Sequence, residues 1–283
     1  MQFCRQKHDA SSRTSSHMHV SAAQEVFLPY LSRPPTSCLG ALVLEAYIYH
    51  VALDSTFHAE TLKSCDHLDA LTKTLTSSAP FQDAATTSHR RSLWLELPPE
   101  LLACIYKISY LRRQTPLSAD AWQEVAAISA ELDQLSSSND TSPLHHDQHS
   151  SMIWNTRQLY LAATRLVLWK LMDSQLGAAD TGVQSLLTMA ISDPALLHSR
   201  SSLMWYPLAV LGTAATTEQD RNVIISQLLS IGDLAGHRGV RNVLKFLAAT
   251  WNTDRQDGSM SSPYSRDQLD VWLDESLLMI VGI

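Results

Sequence analysis

The chain has little of what many specialised proteins depend on. It holds only 9 Gly and 11 Pro in 283 residues, which excludes a collagen, a Gly-rich linker protein and a turn-dense β-sandwich. Its four cysteines, Cys4, Cys38, Cys65 and Cys104, contain no C-x2-C pair, so they cannot assemble a zinc finger, a ribbon or a binuclear cluster. Scattered through so long a chain, they form no disulfide framework either and read as buried or idle thiols in a reducing compartment. Charged residues make up 17% of the sequence, below the ~25% of an average soluble domain. Lys and Arg number 21 against 28 Asp and Glu, a net charge of −7. A free-standing nucleic-acid binder needs a basic face that displaces counterions, and this balance supplies none.

Targeting and membrane signals are also missing. Residues Met1 to Ser21 are polar, carry His8, His17 and His19, and have no apolar h-region, so they are no secretory signal. The longest apolar stretch, Leu39 to Leu53, is interrupted by Glu45 and His50 and is shorter than the ~20 residues a bilayer requires. Asn139-Asp140-Thr141 matches a glycosylation sequon but, with no signal peptide, reads as chance. The expectation is an intracellular protein without membrane contact, cytosolic or nuclear.

What is present is helical periodicity. Apolar residues make up 45% of the chain and recur at helix spacing almost throughout. The sets are Leu101, Ile105, Ile108, Leu111; Trp122, Val125, Ile128, Leu132, Leu135; Met152, Leu159, Ala163, Leu166, Val167, Leu171; and Val240, Val243, Leu244, Leu247, Trp251. Each puts an apolar stripe along one side of a helix, and each stripe must pack on something. Pro98-Pro99-Glu100 marks a first turn. Thr181-x-x-Gln184 and Thr216-x-x-Gln219 fit capping boxes, and Gly177 and Gly232 fit helix ends. No sustained strict alternation and no flanked hairpin turn occurs, and Asp257-Gly258 lies in a polar stretch. The fold class read from this is all-α, a single domain of about ten or eleven amphipathic helices joined by short polar loops. Residues 1–20 read as a disordered tail and 21–283 as the helical domain, loosely divided near residue 145 into 21–145 and 151–283. Thr76 to Arg91 and Ser136 to Ser150 read as loops.

Several clusters invite a chemical reading. His145-His146-Asp147-x-His149 is dense in metal-ligand types, but metal sites need rigid supports and a second shell, and this segment is the most polar in the chain. Asp267, Asp270 and Asp274, with Glu275 beside them, fall at i, i+3 and i+7. On a helix that is one acidic stripe, comparable with motifs that bind magnesium diphosphate; no second carboxylate motif answers it, and Val271, Leu277, Leu278 and Ile280 give the opposite, core-facing side. Gly232, Gly236 and Gly239 match no phosphate-binding loop. There is no G-x-S-x-G, no H-E-x-x-H and no catalytic cysteine context. Arg238, Arg241 and Lys245 form a basic row too small for a nucleic-acid footprint. The tryptophans, Trp94, Trp122, Trp154, Trp169, Trp205, Trp251 and Trp272, read as helix-packing anchors. No catalytic, cofactor-binding, metal or DNA-binding residue is assigned.

Four stretches carry a family resemblance. They are Leu97-Pro98-Pro99-Glu100-Leu101-Leu102; Leu159-Tyr160-Leu161-Ala162-Ala163-Thr164-Arg165-Leu166-Val167-Leu168; Leu203-Met204-Trp205-Tyr206-Pro207-Leu208 with Gly212 and Asp220-Arg221; and Leu244 to Trp251 followed by the Trp272 segment. In order and spacing they resemble the fungal-specific transcription factor domain, the helical regulatory region that follows the zinc binuclear cluster in many fungal regulators. The likeness is clear from Leu97 onward and fainter back to residue 39. Two departures stand out. Tyr206 separates Trp205 from Pro207, where family members tend to place Trp directly before Pro, and the six-cysteine DNA-binding cluster is missing from these residues.

The resemblance implies a nuclear transcriptional regulator or co-regulator, not an enzyme, without its own DNA contact. It further implies a role specific to a metabolic or secondary-metabolite gene set, a protein partner or homodimer, and room for a small-molecule effector. Two other readings stay open: a helical metal-dependent enzyme using Asp267, Asp270 and Asp274, and a scaffold or dimerisation protein with no transcriptional role.

Overall fold

A computed structural model gives the fold of residues 33–58, 64–88, 92–93, 95, 97–137, 148–192, 202–235, 238–256, 267–274 and 278. Among the described residues there are ten α-helices, two 3-10 helices and no strand, so the all-α reading holds. The chain forms two compact units, Met1–Gln114 and Thr115–Gly282. The boundary falls in the polar turn that ends a helix at Arg112. The expected division near residue 145 and the tail 1–20 lie outside the described residues.

The first unit is built on α1 (Cys38–Phe57), α2 (His67–Thr76), α3 (Ala79–Ser88) and α4 (Pro99–Arg112). Ser37 caps α1 by accepting a hydrogen bond from the Gly40 N–H at 3.1 Å. The second half of α1 is buried almost all round, with Tyr47, Ile48, Tyr49, Val51, Ala52, Leu53 and Phe57 in the core, as expected of a central helix. At 20 residues α1 is longer than its apolar run suggested, long and apolar enough to cross a membrane, yet more than half of it is buried inside the unit. Buried Glu45 accepts a hydrogen bond from the Leu93 N–H at 3.0 Å.

Helix α4 packs along α1. Pro98 and Pro99 open it as expected, and Leu101, Ile105, Ile108 and Leu111 are all buried. Its last turn answers the orphan carbonyls at the end of α1. Arg112 donates to the Thr56 carbonyl at 2.6 Å, and Arg113 donates to the Ser55 carbonyl at 2.9 Å. An ion pair at 2.7 Å between Lys107 and Asp69 joins α4 to α2.

Helix α3 corrects the loop expected over Thr76 to Arg91. The Ser- and Thr-rich composition argued against a helix, but Pro80 sits in a first turn, the Ser78 carbonyl accepts from the Phe81 N–H at 3.1 Å, and Phe81 is buried. Tertiary packing of one aromatic ring outweighs weak local propensity here.

In the second unit α6 (Gln148–Met172) packs against α5 (Ala119–Ser137), α7 (Thr181–Ile191) and α8 (Trp205–Gly212), while α9 (Glu218–Ala235) and α10 (Arg238–Gln256) pack on α8 and on each other. Leu159, Tyr160, Leu161, Ala162, Ala163, Leu166, Val167, Leu168 and Leu171 of α6 are buried, so packing surrounds this helix. Tyr160 stacks on Tyr206 of α8 with ring centroids 5.5 Å apart, and its hydroxyl donates to the Leu203 carbonyl at 2.8 Å. The Tyr inserted between Trp205 and Pro207 therefore fills the core, and Pro207 stays in the first turn of α8, where a missing N–H costs nothing. Arginines again serve a helix end: Arg157 donates to the Leu135 carbonyl and Arg165 to Asp133 at 2.8 Å, both near the C-terminus of α5.

Three local expectations are corrected. Thr181 is the first residue of α7 and Asp180 its N-cap, with Gln184 turned away to donate to the Ala178 carbonyl at 2.5 Å and the Ala214 carbonyl at 2.9 Å. The α9 box sits one residue later than expected: Thr217 accepts from the Asp220 N–H at 3.1 Å and donates to the Asp220 carboxylate at 2.6 Å. Gly232 lies inside α9, where a Cβ would meet Val240 Cγ1 at 3.3 Å. It marks a close helix contact and no helix end.

Trp122 is also corrected, being 42% exposed while Val125, Ile128, Leu132 and Leu135 are buried. Trp251 is buried as expected and donates from Nε1 to the Gly212 carbonyl at 2.9 Å. Trp251→Ala is expected to cost about 3–5 kcal/mol in urea unfolding, and Trp122→Ala less than about 1 kcal/mol. Equal losses would mean that the face of α5 is misassigned.

His50 in α1 keeps part of its surface in solvent, but desolvation of the ring by the packing around it pushes the imidazole below its ordinary value of 6.5, and Asp54 one turn later pulls it part of the way back. The unfolded chain then takes up this proton at a higher pH than the folded one. Stability therefore rises with pH across that window and is lost as pH falls below about 6.5. His50→Gln is expected to shrink the fall in melting temperature between about pH 7.5 and 5.5; an unchanged fall would show that His50 does not contribute.

Candidate functional site

A connected set of polar contacts lies in the second unit, where the segment 267–274 returns to the body. It begins with Lys170, in the last turn of α6 and only 1% exposed. A buried ammonium needs oxygen partners on every proton. Lys170 Nζ donates to the Ser174 carbonyl at 2.7 Å, the Leu176 carbonyl at 2.8 Å and Asp270 Oδ1 at 2.7 Å. The first two contacts close the turn after α6. The third reaches a 3-10 helix, Gln268–Leu273, near the other end of the unit's sequence.

That 3-10 helix carries the acidic residues singled out from sequence, and their roles correct the expected stripe. Asp267 is the N-cap of a capping box: its side chain accepts from the Leu269 N–H at 2.8 Å, while Asp270 Oδ2 accepts from the Asp267 N–H at 3.0 Å. Both oxygens of Asp267 also accept from the Ala178 N–H at 3.0 Å. Gly177 permits this approach, since a Cβ there would stand 3.0 Å from Asp267 Oδ2. Asp274 is the C-cap, outside the helical turn. The spacing i, i+3, i+7 lines up carboxylates on an α-helix but not on a short 3-10 turn with three residues per repeat. Asp267 and Asp270 thus face backbone donors and a lysine, and no metal-binding face forms from them. Among the described residues no group of three or more His, Cys, Asp or Glu side chains could hold a metal ion.

Below the carboxylates lies an apolar anchor. Leu269 and Trp272 are fully buried. Trp272 Nε1 donates to Thr213 Oγ1 at 2.8 Å, the Thr213 hydroxyl donates to the Val210 carbonyl at 2.7 Å, and the Trp272 ring meets Phe246 of α10 edge-on at 6.0 Å. Beside them, the Arg221 guanidinium lies over the Trp251 ring at 5.3 Å and donates from Nε to the Ala215 carbonyl at 2.9 Å. Gly212, Arg221, Trp251 and Trp272, which carry the sequence resemblance, therefore belong to one packed region. Gly212 is where α8 and α10 close on each other, since a Cβ there would lie 2.8 Å from Leu247 Cδ2.

The remaining candidates are dispersed. His145, His146 and Asp147 lie outside the described residues, as do Trp94, Gly236 and Glu275. Arg241 and Lys245 are exposed on α10, a solvated basic face. Cys104 is buried, Cys65 half-buried and Cys38 exposed. Lys170 and Thr213 were missed in the sequence. Lys170 could have been found as the one charge within Leu166–Met172, an otherwise apolar run in the middle of a unit; Thr213 carries no such signal.

Asp270→Asn removes the counter-charge of Lys170 and leaves only neutral oxygens around its ammonium. It is expected to lower stability by about 1–3 kcal/mol, with no change in melting temperature when magnesium is added to either protein. Stabilisation by magnesium that disappears in the variant would restore the metal-site reading.

The family model for the fungal specific transcription factor domain matches residues 8–277, spanning both compact units and reaching further toward the N-terminus than the sequence resemblance did. No curated protein and no solved structure matches the chain. With nearly its whole length covered, the chain belongs to the fungal specific transcription factor domain family, whose members are transcriptional regulators.

Proposed function

We propose that this chain is a transcriptional regulatory module that works in the nucleus through a protein partner or a second copy of itself, and catalyses no reaction. The family match over residues 8–277 carries this reading. The site chemistry supports it, because Asp267, Asp270 and Lys170 are committed to backbone groups and to each other. An enzyme active site keeps its charged groups available to a substrate.

The 283 residues hold four cysteines and a net charge of −7. They do not supply the family's six-cysteine reader, and the exposed pair Arg241 and Lys245 is too small a basic face for a nucleic-acid footprint, so gene selection falls to another polypeptide segment. Control of a metabolic or secondary-metabolite gene set, with a small molecule as effector, is the use we infer for such a module.

The purified chain is expected to show no sequence-specific retardation of DNA in a mobility-shift assay at about 150 mM salt, and a tagged copy to accumulate in the nucleus. Tight, sequence-specific retardation would overturn the partner-dependent reading. Stable exclusion from the nucleus would favour the scaffold reading.

A further inference from the structure

We propose that Thr217 is a phosphorylation site for an acid-directed serine/threonine kinase, one whose substrate groove is basic. Thr217 is the one Ser or Thr in the sequence with an acid at both the first and the third position after it, Glu218 and Asp220. A basic groove gains most where carboxylates stand at fixed offsets from the hydroxyl it modifies. Such a site goes beyond the regulatory reading, which neither names nor needs it.

The fold leaves this pattern on the surface. Thr216, Thr217, Glu218 and Gln219 are all exposed at the start of α9. The Thr217 hydroxyl donates to Asp220 Oδ2 at 2.6 Å and accepts from the Asp220 N–H at 3.1 Å. Both contacts lie in the first turn of the helix, where the backbone opens most readily. The first fully buried apolar side chain of α9, Ile224, lies beyond that turn, so a kinase can draw the segment out without unpacking the core. Ser230 is the contrast. It has an acid, Asp233, at the third position only, and its hydroxyl donates to the Gln227 carbonyl at 2.9 Å inside α9, where helix hydrogen bonds close the backbone on both sides. The cation next in sequence, Arg221, does not cancel the acidic pattern. Its guanidinium is turned back over the Trp251 ring at 5.3 Å, and its Nε donates to the Ala215 carbonyl at 2.9 Å.

In the transfer, Thr217 Oγ1 attacks the γ-phosphorus of ATP and an O–P bond forms. The bond from that phosphorus to the bridging oxygen breaks, ADP leaves with the electron pair, and the hydroxyl proton passes to a base on the kinase. The product carries about −1.5 to −2 charge at pH 7 and three acceptor oxygens. It stands where the hydroxyl met Asp220, so like-charge repulsion drives that carboxylate away and opens the cap. Arg221, four residues on, shares this side of α9, and the phosphate draws its guanidinium from Ala215 and Trp251. The turn before α9 also receives Trp251 Nε1 at the Gly212 carbonyl and Trp272 Nε1 at Thr213 Oγ1. One mark on the surface thus reaches the packed region around both indoles.

The test uses the purified full chain, casein kinase II and magnesium ATP, with modified residues mapped by tandem mass spectrometry. The folded wild-type protein is expected to take up phosphate at Thr217, within about tenfold of the rate of a free peptide of residues 212–224. Glu218→Gln with Asp220→Asn is expected to slow that uptake at least tenfold. A folded protein left unmodified at Thr217, or one modified equally fast without the two acids, overturns the proposal. The mapping on wild-type protein decides without any variant having to fold. In hydrogen exchange, phosphorylation is expected to speed exchange across residues 212–221, while Thr217→Val treated in the same way stays unchanged. Exchange that phosphorylation leaves unaltered overturns the coupling through Arg221. These readouts concern the kinase reaction alone, so their failure would leave the nuclear and DNA tests of the function untouched.

Discussion

The second unit depends on the burial of one ammonium group. Lys170 lies at the end of the helix on which α5, α7, α8 and the segment Gln268–Leu273 pack. A charge removed from water is tolerated only when its protons are all answered, and the answering oxygens come from Ser174, Leu176 and Asp270. Those partners fix the direction in which the chain leaves α6, and they fix where the segment Gln268–Leu273 must return. The capping box, the Ala178 contact and the burial of Trp272 are consistent with that anchor point.

The same physics recurs at other helix ends. A helix terminates with carbonyls that have no partner within it, and inside a compact body water cannot serve them. In the first unit Arg112 and Arg113 supply donors to the end of α1. In the second, Arg157 reaches the Leu135 carbonyl at the end of α5, and Arg221 reaches Ala215 in the turn after α8. A chain with only 21 Lys and Arg that commits several of them to buried carbonyls has fewer left for a basic surface. In these residues charge is used internally.

Much of this was legible in the sequence, for a definite reason. Period-3.6 patterning identifies the buried side of a helix without reference to its neighbour, and Leu101, Ile105, Ile108 and Leu111, or Val240, Val243, Leu247 and Trp251, lie where their spacing puts them. Pro98 and Pro99 act locally, and so their position was also legible. The failures occurred wherever the deciding partner was distant in sequence. Phe81 turns a Ser- and Thr-rich stretch into α3 by entering the core. Trp122 continues an apolar stripe and still faces out. Gly232 resembles a helix end yet admits Val240 of the next helix.

Sequence alone determined that the chain is helical, which residues form most of the core, that no metal finger can be built from its cysteines, and which family it resembles. These follow from spacing and residue type, which are properties of the chain taken locally. Only the tertiary structure decided what Asp267, Asp270 and Trp272 do. Their i, i+3 spacing suits a metal-facing stripe, a capping box and an anchored turn equally well. The choice between them was made by Ala178, Lys170 and Thr213, which lie 59 residues or more away along the chain. No local pattern encodes a partner that folding alone brings within hydrogen-bond distance.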